Sequence, residues 1–233
     1  MAMNNPWEHL QDLVSKSVDW IWTDFAKEGE EGAILQPLGE RTDAASWVAE
    51  SLAMSQGVIH RKLGAMLAGW VFDSNYRGLL VELLDRERER FPSEPIDANS
   101  VAEDIMFSAT RWTTCRVADV KEAGLSVLAN MIHDAINHVP WNTAHWAAAN
   151  LYAVSGKNHP ALIELSETPI SRITDQPFLA RTADALRSGN QDVLNAYHTR
   201  PTQSSTLSRE DPRFALAAEL WEAALKAQAA SET

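Results

Sequence analysis

Residues 117–138 read VADVKEAGLSVLANMIHDAINH, and the period of their apolar side chains indicates the kind of protein this is. Apolar residues recur here at intervals of three and four, which is the period of one face of an α-helix. Pro140 lies just beyond the stretch and ends the helix. The same period recurs along the whole chain, whereas alternating runs of β-branched residues are nearly absent from the sequence. We therefore predict an all-α protein.

The predicted helices alternate with short turns, and we assign residues 1–233 to a single all-α domain. Residues 1–42 are predicted to form an N-terminal helix and an acidic loop, and residues 43–198 a set of stacked helical hairpins. A flexible Ser/Thr-rich loop at 199–211 precedes a C-terminal helix at 212–233. The shorter helices that close the hairpin region are predicted at Thr143–Val154, Pro160–Glu167, Pro177–Arg187 and Asn190–His198.

Two segments of the hairpin region superimpose at a fixed offset of 33 positions, as from Gly156 to Gly189. Each segment places large and small residues on one helix, then a glycine, then a second short apolar helix. The aligned pairs are Trp146 with Leu179, Ala149 with Thr182, Asn150 with Ala183, Ala153 with Leu186, and Gly156 with Gly189. This pattern predicts a helix, a tight turn and an antiparallel helix, repeated twice.

The repeated segments resemble tetratricopeptide repeats in their spacing and HEAT repeats in their alternating helix pairs. The resemblance covers residues 143–198 and departs from the tetratricopeptide pattern at Asn150 and Ala183, where that family has a glycine. It implies a right-handed α-α superhelix, a solenoid of helical hairpins; the alternative is a globular helical bundle. Stacked repeats present an extended face, so the resemblance implies a non-enzymatic binding protein that recognises a protein partner, such as an adaptor or a toxin-neutralising (immunity) protein.

The charge of the chain limits its partners. The net charge is −12, and residues 1–50 carry ten acidic side chains against three basic ones. Such a surface disfavours nucleic acid and anionic membranes and suits a basic protein partner. A HEAT-like DNA glycosylase is a further hypothesis, which the charge opposes. With a single cysteine, Cys115, and no secretory signal or membrane-spanning run in view, we expect a cytoplasmic protein.

The pair His133-Asp134, on an apolar helix, carries a second resemblance. It is similar to the central motif of HD-type metal-dependent phosphohydrolases, which are also all-helical and bind a divalent metal through adjacent His and Asp. That resemblance implies a metal held by His133 and Asp134. The family's upstream histidine has only the distant His60 as a counterpart here. The alternative is that His133 is half-buried at a helix interface and Asp134 is exposed. We favour this alternative and therefore predict neither a metal nor a cofactor.

Aromatic and imidazole side chains cluster around the turn at Pro140. Trp, Tyr and Arg dominate the energetics of protein interfaces, and these residues form our candidate binding set. Trp112 and Trp146 are near helix ends, where we expect their indoles to be partly exposed. The set consists of Arg111, Trp112, His133, Trp141, His145 and Trp146.

The charged run DRERER at residues 85–90 has a simpler interpretation than a binding motif. We predict that it is the solvated end of a helix, with ion pairs Glu82–Arg86 and Asp85–Arg88 at helical spacing.

Overall fold

A computed structural model of the protein describes residues 49–50, 53–54, 56–69, 72–173 and 176–198. Within these residues the regular secondary structure is helical and there is no strand, which confirms the all-α prediction. The described residues fall into two compact units, the first ending at Tyr76 and the second beginning at Arg77. A single all-α domain over residues 1–233 stays a prediction. The helices and loops predicted within residues 1–48 and 199–233 lie outside the described part.

The described part of the first unit contains helix α1, Val58–Ala68, and a 3-10 turn, Ser74–Tyr76. Gly64 allows α1 to pack closely on the preceding segment. A Cβ at this position would lie 2.3 Å from the Ala53 amide nitrogen and 2.9 Å from the Ala49 carbonyl oxygen. Ala49 and Ala53 are fully buried in this contact.

The described residues of the second unit form seven α-helices. They are α2, Leu79–Arg90; α3, Pro95–Trp112; α4, Ala118–Asn137; α5, Ala144–Ser155; α6, Pro160–Glu167; α7, Pro177–Ser188; and α8, Gln191–His198. Two further 3-10 turns cover Gly156–Asn158 and Ile170–Arg172. Proline occupies the first position of α3, α6 and α7, where its missing N–H has no helical partner to lose.

Helices α3 and α4 form a hairpin, and Gly124 lies at a close contact between them. A Cβ on Gly124 would lie 2.6 Å from the Ala109 carbonyl oxygen and 2.8 Å from the Trp112 Cβ. The Trp112 side chain is 1% exposed. The missing side chain of Gly124 therefore provides the space that the α3 backbone and the Trp112 Cβ occupy.

Helix α5 is enclosed by other described helices of the second unit. It contacts α3, α4, α6, α7 and α8, and its buried side chains surround the helix rather than covering one stripe. A helix that buries residues on all sides is expected in the interior of a domain. Most of these residues are alanines, whose small side chains allow neighbouring helices to approach.

The two predicted copies have closely matched first helices. Helices α5 and α7 each contain 12 residues and end at Gly156 and Gly189, both with positive φ. The second helices, α6 and α8, each contain eight residues. The second helices do not start at the same distance from the glycine. The 3-10 turn Gly156–Asn158 separates α5 from α6, whereas α8 follows Gly189 almost directly.

Candidate functional site

A cleft of about 510 Å³ opens beside α6, and we call it the α6 cleft. Helix α4 contributes one wall, α6 the floor, and the 3-10 turn Ile170–Arg172 the other wall. Apolar side chains alternate here with charged ones. The lining residues used below are Ile136, Pro160, Ile163, Glu164, Glu167 and Arg172.

The floor of the α6 cleft leaves apolar surface open to water. Ile163 is 43% exposed although it is a large aliphatic side chain on a short helix. Ile170, beside the cleft, is also exposed. A large apolar side chain that is exposed within a concavity, as Ile163 is, is typical of a contact surface.

A polar group borders the cleft at Glu164. The Oε2 atom of Glu164 lies 3.4 Å from His133 Nδ1, and Asn137 Nδ2 lies 3.2 Å from the same ring nitrogen. The His133 side chain is 53% exposed. His133, a member of the predicted binding set, is therefore a surface residue next to the cleft.

Asp134 points in another direction from His133, into the protein. Its carboxylate accepts two hydrogen bonds from Arg88, Nε to Oδ1 at 3.0 Å and Nη2 to Oδ2 at 2.9 Å. The Trp141 indole nitrogen also donates to Oδ2 at 3.1 Å. Burial disfavours the charged Arg88, but the Asp134 and Asp85 carboxylates outweigh that effect and raise the pKa of Arg88. Asp134 thus joins α2, α4 and the segment before α5.

The side chains of His133 and Asp134 do not converge as the HD-type resemblance implies. Both oxygens of Asp134 are engaged by Arg88 and Trp141, and the His133 ring faces Glu164. The alternative interpretation, a half-buried histidine beside an exposed aspartate, is also wrong. Asp134 is buried and His133 is exposed. Among the residues described, no group of three or more His, Cys, Asp or Glu side chains has the arrangement of a metal site.

Two indoles of the predicted binding set are core residues. Trp112 is 1% exposed and Trp141 is fully buried, where Phe91 packs edge-on against it at 5.5 Å between ring centroids. The expectation that Trp112 is partly exposed is therefore wrong. Its position continues the apolar stripe of α3, which faces α4. Arg111, its neighbour, is half-buried in the last turn of α3.

His145 and Trp146 belong to a separate aromatic cluster. The buried His145 ring stacks on Phe178 of α7 at 5.0 Å and lies 5.2 Å from the half-buried Trp146 ring. The Arg181 guanidinium lies 4.8 Å from the Phe178 ring centroid. The six predicted residues therefore do not form one site. His133 borders the α6 cleft, His145 and Trp146 join α5 to α7, and Trp112 and Trp141 are in the core.

The α6 cleft is not recognisable in the sequence because its residues resemble ordinary packing positions. Ile163 was predicted only as part of the second repeat helix, and Glu164 and Glu167 resemble a solvated helix face. The signal available in the sequence was Pro169 two residues after α6, because the residue before a proline is disfavoured in the helical conformation and the chain therefore leaves the helix there.

The environment of His145 predicts a pH-dependent stability. Burial lowers the pKa of His145 to about 4, the Asn142 backbone hydrogen bond opposes that shift, and nearby Arg181 adds to it. The unfolded chain then binds this proton more readily than the folded one, so stability falls as pH drops from 6.5 towards 4. We expect His145→Gln to remove about 2 kcal/mol of this fall. This is less than full linkage because His145, although buried, keeps 8% of its surface in contact with water.

Urea unfolding of both proteins at several pH values between 7.5 and 4.5 measures that difference. Carboxylates that titrate in the same range contribute equally to both proteins and cancel in the comparison. If the free energy of unfolding changed with pH equally in both proteins, folding would not disfavour protonation of His145, which would contradict the prediction.

Comparison of the chain with protein-family models, with curated proteins and with solved structures gives no match. None of the helices in the described ranges combines the length and apolar character that crossing a bilayer requires. The geometry defines an all-α protein with an open, partly apolar cleft beside α6.

Proposed function

We propose that this protein is a non-enzymatic binding protein that recognises a protein partner through the α6 cleft. The observation that carries the proposal is the exposed Ile163 floor between the carboxylates Glu164 and Glu167. A concave site with apolar surface and a few charged groups is the usual form of a recognition site. An adaptor and a toxin-neutralising protein both fit this function.

The charges of the cleft define the partner's chemistry. Two glutamates and one arginine line it, and the whole chain has a net charge of −12. A partner segment with a large apolar side chain flanked by Lys or Arg matches both features. The apolar side chain would cover Ile163, and the basic residues would lie near Glu164 and Glu167. Long-range attraction then increases the association rate, and burial of the apolar anchor slows dissociation.

The arrangement of the hairpins supports a helical-repeat surface. Among the six described helices taken as the hairpins α3–α4, α5–α6 and α7–α8, the more extensive contacts join members of one hairpin or of consecutive hairpins, and α2 packs on α3 and α4. Stacked repeats have this contact pattern. The α6 cleft lies where the second helices of two consecutive hairpins, α4 and α6, meet. We propose that the hairpins form the superhelical stack implied by the resemblance.

The test is a peptide selection followed by measured affinities. A display library of peptides, each with one large apolar residue flanked by basic ones, is selected on the wild-type protein. We expect Ile163→Asp to weaken binding of the selected peptides at least about tenfold, since a buried charge replaces the apolar floor.

The matched control is Val154→Asp on α5. Val154 is 41% exposed, against 43% for Ile163, and does not line the cleft. Both variants add the same negative charge, so any general attraction of basic peptides increases equally. Equal affinities of the two variants would contradict the proposal, because binding would then depend on net charge rather than on the cleft.

A metal-dependent hydrolase would behave differently. Metal analysis of the purified protein measures this directly. A stoichiometric divalent metal that is lost in His133→Ala would support the HD-type alternative, and it would require Asp134 to exchange Arg88 for the ion.

A further inference from the structure

The α6 cleft contains two charged side chains of opposite sign that are not paired. Glu167 is the last residue of α6 and Arg172 the last of the 3-10 turn that follows, and both are exposed and line the cleft. Neither side chain makes a hydrogen bond or an ion pair with the other or with any further described residue. A carboxylate and a guanidinium are therefore both open to a partner in this cleft.

Arg172 differs in this respect from the paired arginines of the same unit. The chain has 32 acidic side chains against 20 basic ones. Arg86 and Arg88 of α2 and Arg187 of α7 each form an ion pair with a carboxylate of their own helix. None of the guanidinium donors of Arg172 is used within the part of the chain that the structure describes. A guanidinium is planar, and its N–H groups match a carboxylate in both shape and charge.

The wall that carries Arg172 is held in place by other residues. The Arg172 amide donates to the Pro169 carbonyl oxygen at 2.9 Å. Ile173, which follows the turn, is 2% exposed and anchors its end in the protein interior. Arg187 of α7 donates to the Thr168 carbonyl oxygen just before the wall. Because the backbone of the wall is ordered before a partner arrives, less conformational entropy is lost on binding.

Charge complementarity defines the segment that fits this cleft. Ile163 provides the apolar floor, and Glu164 and Glu167 attract the basic residues of the partner. Arg172 repels a basic residue from its own wall and attracts a carboxylate there. A segment with basic residues on every side of its apolar anchor would leave Arg172 facing a like charge. A segment that also has one acidic residue complements both signs of charge in the cleft.

We propose that the partner segment contains an Asp or Glu side chain that binds Arg172, in addition to its apolar anchor and its basic residues. Arg172 is then a specificity-determining residue of the α6 cleft. This inference rests on the proposed function, because it concerns the same cleft and the same protein partner. The carboxylate adds selectivity more than affinity, since an exposed ion pair contributes little free energy, whereas a like charge in its place is repelled.

The experiment is a synthetic array of peptides probed with the full-length wild-type protein and with Arg172→Glu. Each peptide has one leucine and one lysine, in either order, and its other positions vary among Lys, Glu, Gln and Ser. The peptides are C-terminally amidated, so any carboxylate belongs to a side chain. We expect the wild-type protein to prefer Glu at one position and Arg172→Glu to prefer Lys at that same position. A preference for Glu that survives in Arg172→Glu would overturn the proposal.

The matched control for the array is Arg116→Glu. Arg116 is also exposed, has no hydrogen bond or ion pair with a described residue, and does not line the cleft. Both variants change the net charge by the same amount, so a general attraction of basic peptides increases equally. We expect Arg116→Glu to keep the preference of the wild-type protein for Glu. A switch to Lys in Arg116→Glu as well would assign the preference to net charge and contradict the proposal.

Solution affinities of one preferred peptide, with its Glu and with Gln in place of that Glu, measure the contact itself. We expect the wild-type protein to bind the Gln peptide about fivefold more weakly. Arg172→Gln is expected to bind the two peptides equally, because the group that distinguishes them is gone. If Arg172→Gln still distinguished the peptides fivefold, the carboxylate would bind elsewhere and the proposal would be wrong.

Ile163→Asp, probed on the same array, separates this inference from the function on which it rests. Peptides that bind the wild-type protein and are lost with Ile163→Asp support the α6 cleft as the binding site. If those peptides showed no preference for Glu at any position, the role of Arg172 would be refuted and the proposed function would stand. If no peptide depended on Ile163, both proposals would be refuted.

Discussion

Replacing Asp134 with alanine is expected to lower the free energy of unfolding by about 3 kcal/mol. The substitution leaves Arg88 and the Trp141 indole nitrogen without their shared acceptor. The Asp134 side chain is 3% exposed, so water does not replace the lost carboxylate easily. Arg88 retains contact with solvent and with Asp85. The expected destabilisation is therefore at the lower end of the range for breaking a buried ion pair.

Urea unfolding followed by circular dichroism measures this effect, and Asp85→Asn is its matched control. Asp85 pairs with the same Arg88 at 2.5 Å but is largely exposed, so its loss should cost about 0.5 kcal/mol. A double-mutant cycle of Asp134→Ala with Arg88→Met isolates the coupling between the two side chains. If the Asp134 and Asp85 variants were equally stable, Asp134 would not have the joining role assigned to it.

Gly124→Ala is expected to destabilise the protein by about 2 kcal/mol, although alanine favours an isolated helix by about 1 kcal/mol over glycine. The added Cβ would lie 2.6 Å from the Ala109 carbonyl oxygen and 3.1 Å from the Thr113 amide nitrogen. Both neighbours belong to the backbone, so α3 and α4 must separate to make room. Widening this crossing also loosens the packing of Trp112.

The control for this prediction is Gly78→Ala, at the N-terminus of α2. A Cβ there would have no neighbour within 4 Å, and the residue has an ordinary negative φ. We expect its thermal midpoint to match that of the wild type while that of Gly124→Ala falls by several degrees. Equal or higher stability of Gly124→Ala would show that the crossing is not as close as described.

The helices were predictable from the sequence because their ends carry local signals. Helix α6 was predicted at its observed bounds, since Pro160 begins it and Pro169 follows its end. The ion pairs Glu82–Arg86 and Asp85–Arg88 were predicted from helical spacing, and both are present. Local spacing does not reveal long-range partners. The pairing of Arg88 with Asp134, 46 residues away, could not be inferred from a charged run that resembles a solvated surface.

The candidate site was less predictable, because adjacent residues on a helix face different directions. His133 and Asp134 were considered together, yet successive helical residues diverge by about 100°. One therefore faces solvent and the other faces Arg88 and Trp141. For Trp112 the signal was present: the stripe Val101, Ile105 and Ala109 continues to it at helical spacing, and all four are buried.

The proposal that a basic, apolar segment of a protein partner binds in the α6 cleft is tested most directly by amide hydrogen exchange. The protein is measured alone and when saturated with a selected peptide. We predict slower exchange in residues 160–172, around the Ile163 floor, and unchanged exchange in α7. Unchanged exchange in residues 160–172, with slowing elsewhere, would contradict the proposal.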